Sequence, residues 1–400
     1  MASDDDAVLK FPEGFLWGTA TAAHQVEGGN DNDWTAWEAA GGSKDLSGRA
    51  CDHWDFATFR KDVALMKSLG MNSYRLSVEW SRVMPRPGEI DRGALSRYRL
   101  MLELLKAEGL ATMVTLHHFT NPCWFVAQGG WDRGSPKPFL DFVRATAEAL
   151  GDRVDLWATF NEPIGYAILG WVVGIWPPGR KRDLLGAIRV SRRMAATHNA
   201  AYGVLKEVSE SPVGVVHSMI RFEPFTSSPA DRFLAWLANY AGNQWFLRKT
   251  VNDFIGMNYY MRERLHVPSI LPLRAKRADP EHPTSDFGWE IYPKGIHHLL
   301  LSLKRYGVPV YVTENGLADA TDARRPEFIR EHLRWVHRAI EDGVDVKGYF
   351  HWSLVDNFEW AEGYSKKFGL IEVDHATQER RPRPSAEAYA AIARANALIR

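Results

Sequence analysis

Little in this sequence points to a disulfide-stabilised, membrane-spanning or strongly charged protein. Cysteine occurs only at Cys51 and Cys123, which is too few for a disulfide framework or a cysteine-based zinc site. The 49 basic residues balance the 49 acidic ones, and no long run of lysine or arginine occurs. This balance argues against a nucleic-acid partner and against an anionic membrane surface. No apolar stretch reaches the roughly 18 residues of a membrane-spanning helix.

The beginning of the chain, Met-Ala-Ser-Asp-Asp-Asp, also lacks the apolar segment of a secretory signal. We therefore expect a soluble, cytoplasmic protein with no membrane partner. Residues 1–10 are expected to form a flexible tail. With 400 residues, of which 45% are hydrophobic, the chain is long enough for one large domain or two ordinary ones.

Tryptophan, by contrast, is abundant, with 16 residues. Most of these side chains are expected to fill the core. Several lie near predicted strand ends, however, where a flat aromatic face suits the apolar C–H face of a sugar ring.

Short apolar runs alternate with helical patterns along the chain, which is typical of an α/β fold with parallel strands. The predicted strands are residues 15–23, 73–77, 112–116, 156–163, 213–216, 254–258, 310–316 and 346–352. Helices are predicted over about 56–70, 95–109, 138–150 and 329–340, after residue 183, from residue 294, and at the end of the chain, where Ser385 is expected to cap the last helix.

Eight strand–helix units without a linker predict a single (β/α)₈ TIM barrel over residues 1–400, with the active site at the C-terminal ends of the strands. Two domains are the alternative. The only segments that read as loose are residues 221–252 and 268–283.

Two of the predicted strands end in a glutamate. Glu162 follows Thr159-Phe160-Asn161, and Glu314 lies in Val312-Thr313-Glu314-Asn315-Gly316. A pair of carboxylates fits glycoside hydrolysis, in which one acid protonates the leaving oxygen and the other carboxylate attacks or guides water. Strand-end carboxylates also bind metals or pair with arginine, so the pair alone leaves these readings open.

The neighbouring residues favour the hydrolytic interpretation. Arg75 is suited to hold Glu314 ionised, because a nearby cation stabilises a carboxylate. An apolar wall of Trp157 and Trp171 would disfavour ionisation of Glu162, as a general acid requires. The pair His117-His118 suggests a metal only weakly, since adjacent strand residues point to opposite faces and no third ligand stands at a recognisable spacing.

Six motifs in order resemble glycoside hydrolase family 1, the β-glucosidase and β-galactosidase family, along nearly the whole chain. They are Phe15-Leu16-Trp17-Gly18 to Gln25-Val26-Glu27-Gly28, Tyr74-Arg75-Leu76-Ser77, Thr159-Phe160-Asn161-Glu162-Pro163, Asn258-Tyr259-Tyr260, Val312-Thr313-Glu314-Asn315-Gly316, and His351-Trp352-Ser353-Leu354 to Asn357-Phe358-Glu359-Trp360.

The resemblance implies a double displacement that retains the β configuration, with Glu162 as acid/base and Glu314 as nucleophile. Arg75 and Asn258 would support the nucleophile, and no cofactor or metal would be needed. The residues implied to bind the sugar are Gln25, His118, Asn161, Tyr260, Trp352, Glu359 and Trp360, with Trp352 as the stacking floor and Glu359 near the sugar's O6.

The chain departs from the family pattern on the outer side of the site. Its segment between strands five and six is short, and Thr120, His217 and Lys367 stand where an acidic residue, an amide and an arginine are commoner. We expect a β-glycosidase acting on a small glycoside or oligosaccharide. The alternatives are a 6-phospho-β-glycosidase, for which Lys366 and Lys367 are the candidate phosphate contacts, a transglycosylating relative, and an inactive carbohydrate-binding protein.

Overall fold

Eight parallel strands close into a barrel in a computed structural model of the chain, which describes residues 8–267 and 282–399. Each strand pairs with the next along the chain, and the eighth returns to the first. The strands are β1 (Leu16–Ala20), β2 (Ser73–Ser77), β3 (Ala111–His117), β4 (Leu156–Asn161), β5 (Val213–Ser218), β6 (Phe254–Asn258), β7 (Val310–Asn315) and β8 (Val346–Trp352).

A helix follows each strand, and most of these helices cover the outside of the barrel. These helices are α1 (Phe56–Ser68), α2 (Arg92–Ala107), α3 (Lys137–Leu150), α4 (Leu184–Val208), α5 (Pro229–Ala238), α6 (Lys294–Leu303), α7 (Arg325–Glu341) and α8 (Pro384–Ala395). The predicted (β/α)₈ TIM barrel is therefore confirmed.

The strands are buried on both faces, as β2 and β6 show along their whole length. Helices cover the outer face and side chains fill the inner one, so such strands appear in the sequence as continuous apolar runs. The helices carry one apolar stripe instead. In α7, for example, Ile329, Leu333 and Val336 are buried at spacings of four and three residues.

The loops at the C-terminal ends of the strands contain short helices and additional short strands. The helical pieces there include Ala23–Val26, Asp33–Ala39, Trp80–Val83, Cys123–Ala127, Gly130–Arg133, Pro163–Ala167, Ile168–Val173 and Trp360–Glu362. Two strand pairs, Arg221–Pro224 with Arg262–Leu265 and Ile371–Asp374 with Glu379–Pro382, extend beyond the barrel. Within the described ranges, no helix is both long and apolar enough to cross a membrane.

Three details of the sequence prediction are wrong. Residues 221–252 are not loose, because they contain the strand Arg221–Pro224 and helix α5. Residues 8–10 do not belong to a flexible tail, because Val8–Lys10 pairs antiparallel with Ala397–Ile399. Residues 1–7, and most of the second loose segment, lie outside the described residues.

The predicted cap of α8 is the third error. Pro384 already occupies the first turn, and the side chain of Ser385 makes no capping hydrogen bond. The Asp322 carboxylate accepts from the backbone N–H of Ser385 at 2.8 Å instead. A buried carboxylate from a distant loop thus satisfies one of the backbone donors at this helix terminus.

Candidate active site

A buried guanidinium links three strand ends at the C-terminal mouth of the barrel. Arg75, on β2, is fully buried. Its Nη1 donates to Glu314 Oε1 at 2.6 Å, and its Nη2 donates to Asn161 Oδ1 at 2.8 Å. Since a buried guanidinium requires compensating acceptors, these contacts fix β4 and β7 around β2.

Glu314 has donors on both carboxylate oxygens, because Tyr260 donates its hydroxyl to Oε2 at 2.7 Å. Burial raises the pKa of Glu314 above its ordinary value, while the Arg75 charge and the Tyr260 hydrogen bond oppose that rise. The groups in direct contact with this carboxylate therefore favour its anionic form.

Glu162 is in a different environment. Asn258 donates Nδ2 to Glu162 Oε1 at 2.7 Å, and no guanidinium or ammonium touches this carboxylate within the described residues. Burial first, and the negative charge of Glu314 second, raise the pKa of Glu162 to about 8. The pair is therefore unequal, because Glu162 retains its proton at neutral pH whereas Glu314 is held against a cation.

The backbone turns sharply at Glu162, which has a left-handed conformation with φ 46° and ψ 53°. Pro163 then begins a short helix, and Tyr166 donates its N–H to the carbonyl of Glu162 at 2.9 Å. A left-handed glutamate is uncommon and costs on the order of 1–3 kcal/mol. This turn ends the strand and places the carboxyl group at its mouth.

The predicted tryptophan wall is wrong for Trp157. Trp157 donates its indole N–H to Ser209 Oγ at 3.2 Å, just after α4, and therefore lies at the opposite end of the barrel from Glu162. Side chains five positions apart on a strand are ~16 Å apart along it. Trp171 is buried against Tyr166, with ring centroids 5.6 Å apart.

The Asn161 amide determines the tautomer of His118. Its Oδ1 accepts from Arg75 and Asn258, so its Nδ2 is the atom that faces His118 Nε2, at 3.1 Å. His118 Nε2 must therefore accept, which leaves the ring proton on Nδ1. Burial also lowers the pKa of His118 well below its usual value. The Nδ1–H has no partner among the described residues, and is a free donor.

Gln25 and Glu359 meet on the other side of the mouth. Gln25 Nε2 donates to the carbonyl of Phe358 at 2.9 Å and lies 3.4 Å from Glu359 Oε2. Its Oε1 is buried without a partner in the described part of the chain. Burial, followed by the charge of Glu314, raises the pKa of Glu359 to about 8. This side of the mouth therefore offers one free acceptor and one carboxyl group.

Two buried tryptophans lie beside the polar side chains at the mouth of the barrel. Trp352, at the end of β8, lies 6.0 Å from His118 between ring centroids. Trp360 is parallel to His24, at 5.6 Å and 9°. Three further aromatic side chains that the sequence analysis missed support Trp360, namely Trp34, Phe119 and Trp176. They come from the loops after β1, β3 and β4, and no regular spacing in the sequence identified them, although Trp34 lies in the short helix Asp33–Ala39.

Two polar residues were also missed. Thr313 donates Oγ1 to Asn258 Oδ1 at 2.7 Å, which orients the amide that reaches Glu162. A hydrogen bond from Ser218 lowers the pKa of Glu162 slightly against the effect of burial. Both side chains lie near the C-terminal ends of their strands, and that position was the available signal.

The other noted residues form their hydrogen bonds with groups other than the two glutamates. His117 bonds Asn121 Oδ1 at 3.1 Å, on the opposite side from His118. Thr120 donates to Glu79 Oε2 at 2.9 Å, and His217 Nε2 lies 2.7 Å from the carbonyl of Gly242. The Lys366 ammonium donates to the carbonyl of Asp286 at 2.7 Å. The carbonyl of Lys367 accepts from Arg325. In residues 8–267 and 282–399, no group of three or more His, Cys, Asp or Glu side chains is arranged to hold a metal ion.

A TIM barrel that presents unequal carboxylates beside an arginine, amides and stacked tryptophans has the site of a glycoside hydrolase. Comparison with known proteins agrees. The family model for glycosyl hydrolase family 1 matches residues 8–252 and 241–398. The chain belongs to glycosyl hydrolase family 1 and is an O-glycosyl hydrolase.

Individual relatives cover almost the whole chain. It is 33% identical to beta-glucosidase A of Thermotoga maritima over 98% of this chain and 99% of the relative. It is 31% identical to a 6-phospho-beta-galactosidase of Clostridium acetobutylicum over 97% of this chain and 98% of the relative. The solved beta-glycosidase from Pyrococcus horikoshii superposes with a TM-score of 0.91 at 41% identity, covering 98% of this chain and 96% of that structure.

Proposed function

We propose that the protein is a single-domain retaining β-glycosidase that hydrolyses terminal β-D-glucosides and related β-galactosides and β-fucosides. The carrying observation is the unequal pair of glutamates: Glu162 with a pKa of about 8, and Glu314 in contact with Arg75 at 2.6 Å. A proton donor and an anionic nucleophile are the two groups that double displacement needs.

In the first step Glu314 attacks the anomeric carbon and forms a glycosyl ester. The glycosidic C–O bond breaks, and Glu162 gives its proton to the departing oxygen. Ester formation removes the negative charge of Glu314, which is the second cause of the raised pKa of Glu162. The pKa of Glu162 therefore falls in the intermediate, where the residue has to act as a base.

In the second step Glu162 takes a proton from water, and the water oxygen attacks the anomeric carbon. The bond to Glu314 breaks and its carboxylate returns to Arg75. Two inversions at one carbon give net retention. Asn258 and Tyr260 orient the two carboxyl groups through hydrogen bonds of 2.7 Å each.

The sugar is proposed to bind in the ring of polar groups around the glutamates. The free Gln25 Oε1 and His118 Nδ1–H match one hydroxyl donor and one acceptor. The remaining proposed sugar contacts are Asn161, Tyr260, Glu359 and Trp360, with Trp352 as the stacking floor. Glu162, Glu314 and water are the reacting groups in both steps.

A panel of chromogenic β-glucoside, β-galactoside and β-fucoside, together with their 6-phosphates, tests this proposal. Turnover of the neutral glucoside with release of free glucose supports it. Release of the chromophore with glucose delivered mainly to an added sugar acceptor would identify a transglycosylase. Sugar binding without turnover would identify an inactive binding protein.

The pH dependence of kcat/KM is expected to show a basic limb near pH 8 for aryl glucosides with poor leaving groups. The pKa of Glu162 is raised to about 8, so the acid is protonated below that value and is lost as the pH rises through it. Initial rates at low substrate concentration from pH 5 to 10 provide the measurement. Substrate concentrations well below KM report the free enzyme.

The matched control is a dinitrophenyl glucoside, whose leaving group needs no proton. For this substrate, the basic limb that Glu162 causes in the kcat/KM profile is expected to disappear. Any remaining decrease near pH 8 would then come from the effect of Glu359, whose pKa is also about 8, on sugar binding. A limb of equal depth for both substrates would assign it to Glu359 instead.

Neutral glucosides are expected to exceed their 6-phosphates in kcat/KM by about 100-fold. The negative charge of Glu314 already raises the pKa of both Glu162 and Glu359, and a phosphate dianion would add charge of the same sign. Because the pKa of Glu359 is about 8, the preference for neutral glucosides is expected to grow as the pH rises from 7 to 9. Equal kcat/KM values for the two substrates would favour a 6-phospho-β-glycosidase.

A further inference from the structure

The chain segment that leaves the active site after Glu162 is strongly basic. Residues 173–193 contain six basic residues and a single acidic one, Asp183, in a chain of zero net charge. The local excess is five positive charges. Asp183 is already engaged, because it accepts from the backbone N–H of Gly186 at 2.7 Å as the cap of α4.

The same segment exposes large aliphatic side chains. Leu185 is 76% exposed and Leu184 is 61% exposed, and Ile175 and Ile188 are also exposed. Single exposed apolar residues are ordinary, but a group of them beside basic residues is typical of a surface that meets a partner. We refer to residues 168–192 as the apolar–basic surface.

Backbone hydrogen bonds hold the two halves of this surface side by side. The N–H of Arg180 donates to the carbonyl of Gly170 at 2.9 Å, and that of Arg182 donates to the carbonyl of Val172 at 2.8 Å. On α4, Leu185, Ile188 and Arg192 follow at spacings of three and four residues and share one helix face. Apolar and basic groups therefore alternate over one continuous patch.

Some of the cations are committed to the protein and others are free. Arg180 lies 3.0 Å from Asp132, an almost fully buried carboxylate that also pairs with Arg189. Lys181, Arg182 and Arg192 are exposed and form no ion pair within the described ranges. Three cations are therefore available to a partner.

The apolar–basic surface borders the sugar site. It begins six residues after Glu162, and Trp176, within it, packs against Trp360 with ring centroids 5.7 Å apart. Anything bound there would lie beside the mouth of the barrel.

We propose that the apolar–basic surface binds an anionic lipid bilayer. Leu184, Leu185 and Ile188 enter the boundary between headgroups and acyl chains, while Lys181 and Arg182 contact the headgroup anions. A nucleic acid would match the cations but not the aliphatic side chains. A second copy of the chain, docked on the same patch, would bring two positive surfaces together.

This proposal revises the expectation of no membrane partner. That expectation used the charge of the whole chain, which is zero because acidic residues elsewhere offset this segment. The free cations and the aliphatic side chains lie together on the apolar–basic surface because of the fold, which the overall composition does not reveal.

Co-sedimentation of the full-length protein with vesicles tests the proposal. Vesicles of phosphatidylcholine and phosphatidylserine in equal amounts are expected to bind the protein, whereas phosphatidylcholine vesicles do not, and high salt releases it. The variant Lys181→Glu/Arg182→Glu/Arg192→Glu is expected to bind about 100-fold more weakly or worse. Leu184→Ser/Leu185→Ser is also expected to weaken binding, without changing the salt dependence.

The matched control is Arg60→Glu/Lys61→Glu/Arg305→Glu, which changes the net charge equally at exposed positions without ion pairs in the described part of the chain. It is expected to bind like the unmodified protein. Equal losses in both triple variants, binding to neutral vesicles, or stronger binding to duplex DNA would each overturn the proposal. Turnover of a soluble chromogenic glucoside, expected to be unchanged in all variants, verifies that they fold.

Discussion

Replacing Glu314 by glycine is expected to lower kcat for every β-glycoside by on the order of 10⁶-fold, the scale of loss when an enzyme loses its covalent nucleophile. The barrel is expected to remain folded, because Arg75 retains Asn161 and Thr115 as hydrogen-bond acceptors. Steady-state rates with an aryl glucoside, together with circular dichroism, provide the measurement.

Glu362→Gly is the matched control. Glu362 lies in the turn after Trp360 and pairs with the exposed Lys44 at 2.6 Å, so its loss is expected to leave kcat unchanged. A 2-deoxy-2-fluoro glucoside inactivator provides the direct test, since it traps the glycosyl ester. The labelled peptide is expected to contain Glu314, and a label on any peptide without Glu314 would contradict the assignment.

Glu162→Ala is expected to separate the two steps of the reaction. An alkyl glucoside needs the proton of Glu162, and its kcat is expected to fall by about 10²–10⁴-fold. A dinitrophenyl glucoside should still form the glycosyl ester on Glu314, because its leaving group departs unprotonated. The ester should then accumulate, since water lacks its general base, and a burst of dinitrophenol followed by a slow steady state reports this.

Azide needs no base and is expected to restore turnover of the Glu162→Ala enzyme by attacking the ester. Proton NMR of the product is expected to show β-glucosyl azide, the result of two inversions. An α product would indicate a single inversion, with Glu314 acting as base and the carboxyl groups set wider than the about 5–5.5 Å of a retaining pair. Asn258→Ala, which keeps both carboxylates, is the control that should show no azide dependence.

The fold was largely predictable because each barrel strand is buried on both faces. Strands β2, β6 and β8 lie at the residues predicted, since an apolar run bounded by turn residues has few other solutions. Helix α5 was missed because its exposed face is apolar, with Phe233 and Trp236 both more than 60% exposed. That composition hides the periodicity of an ordinary surface helix.

The site was predictable only in part. Position at a strand end identified Glu162 and Glu314, and the motifs identified their neighbours. The sequence analysis predicted that Glu162 would hold its proton more strongly than Glu314, and based this on Trp157 and Trp171. Trp157 in fact lies at the other end of its strand. Burial and the charge of Glu314 are the actual causes, and both depend on contacts between residues that are far apart in the chain.

The hydrogen bond between Gln25 and Glu359 has a consequence for the order of assembly. These residues lie 334 positions apart, on the loops after β1 and β8, so they meet only when the last strand joins the first. During synthesis the earlier strands can associate while this half of the pocket does not yet exist. Non-local contacts of this kind form late and slow the folding of a chain. The proposed sugar pocket is thus completed only at barrel closure, and a nascent chain that ends before β8 carries both proposed catalytic glutamates without it.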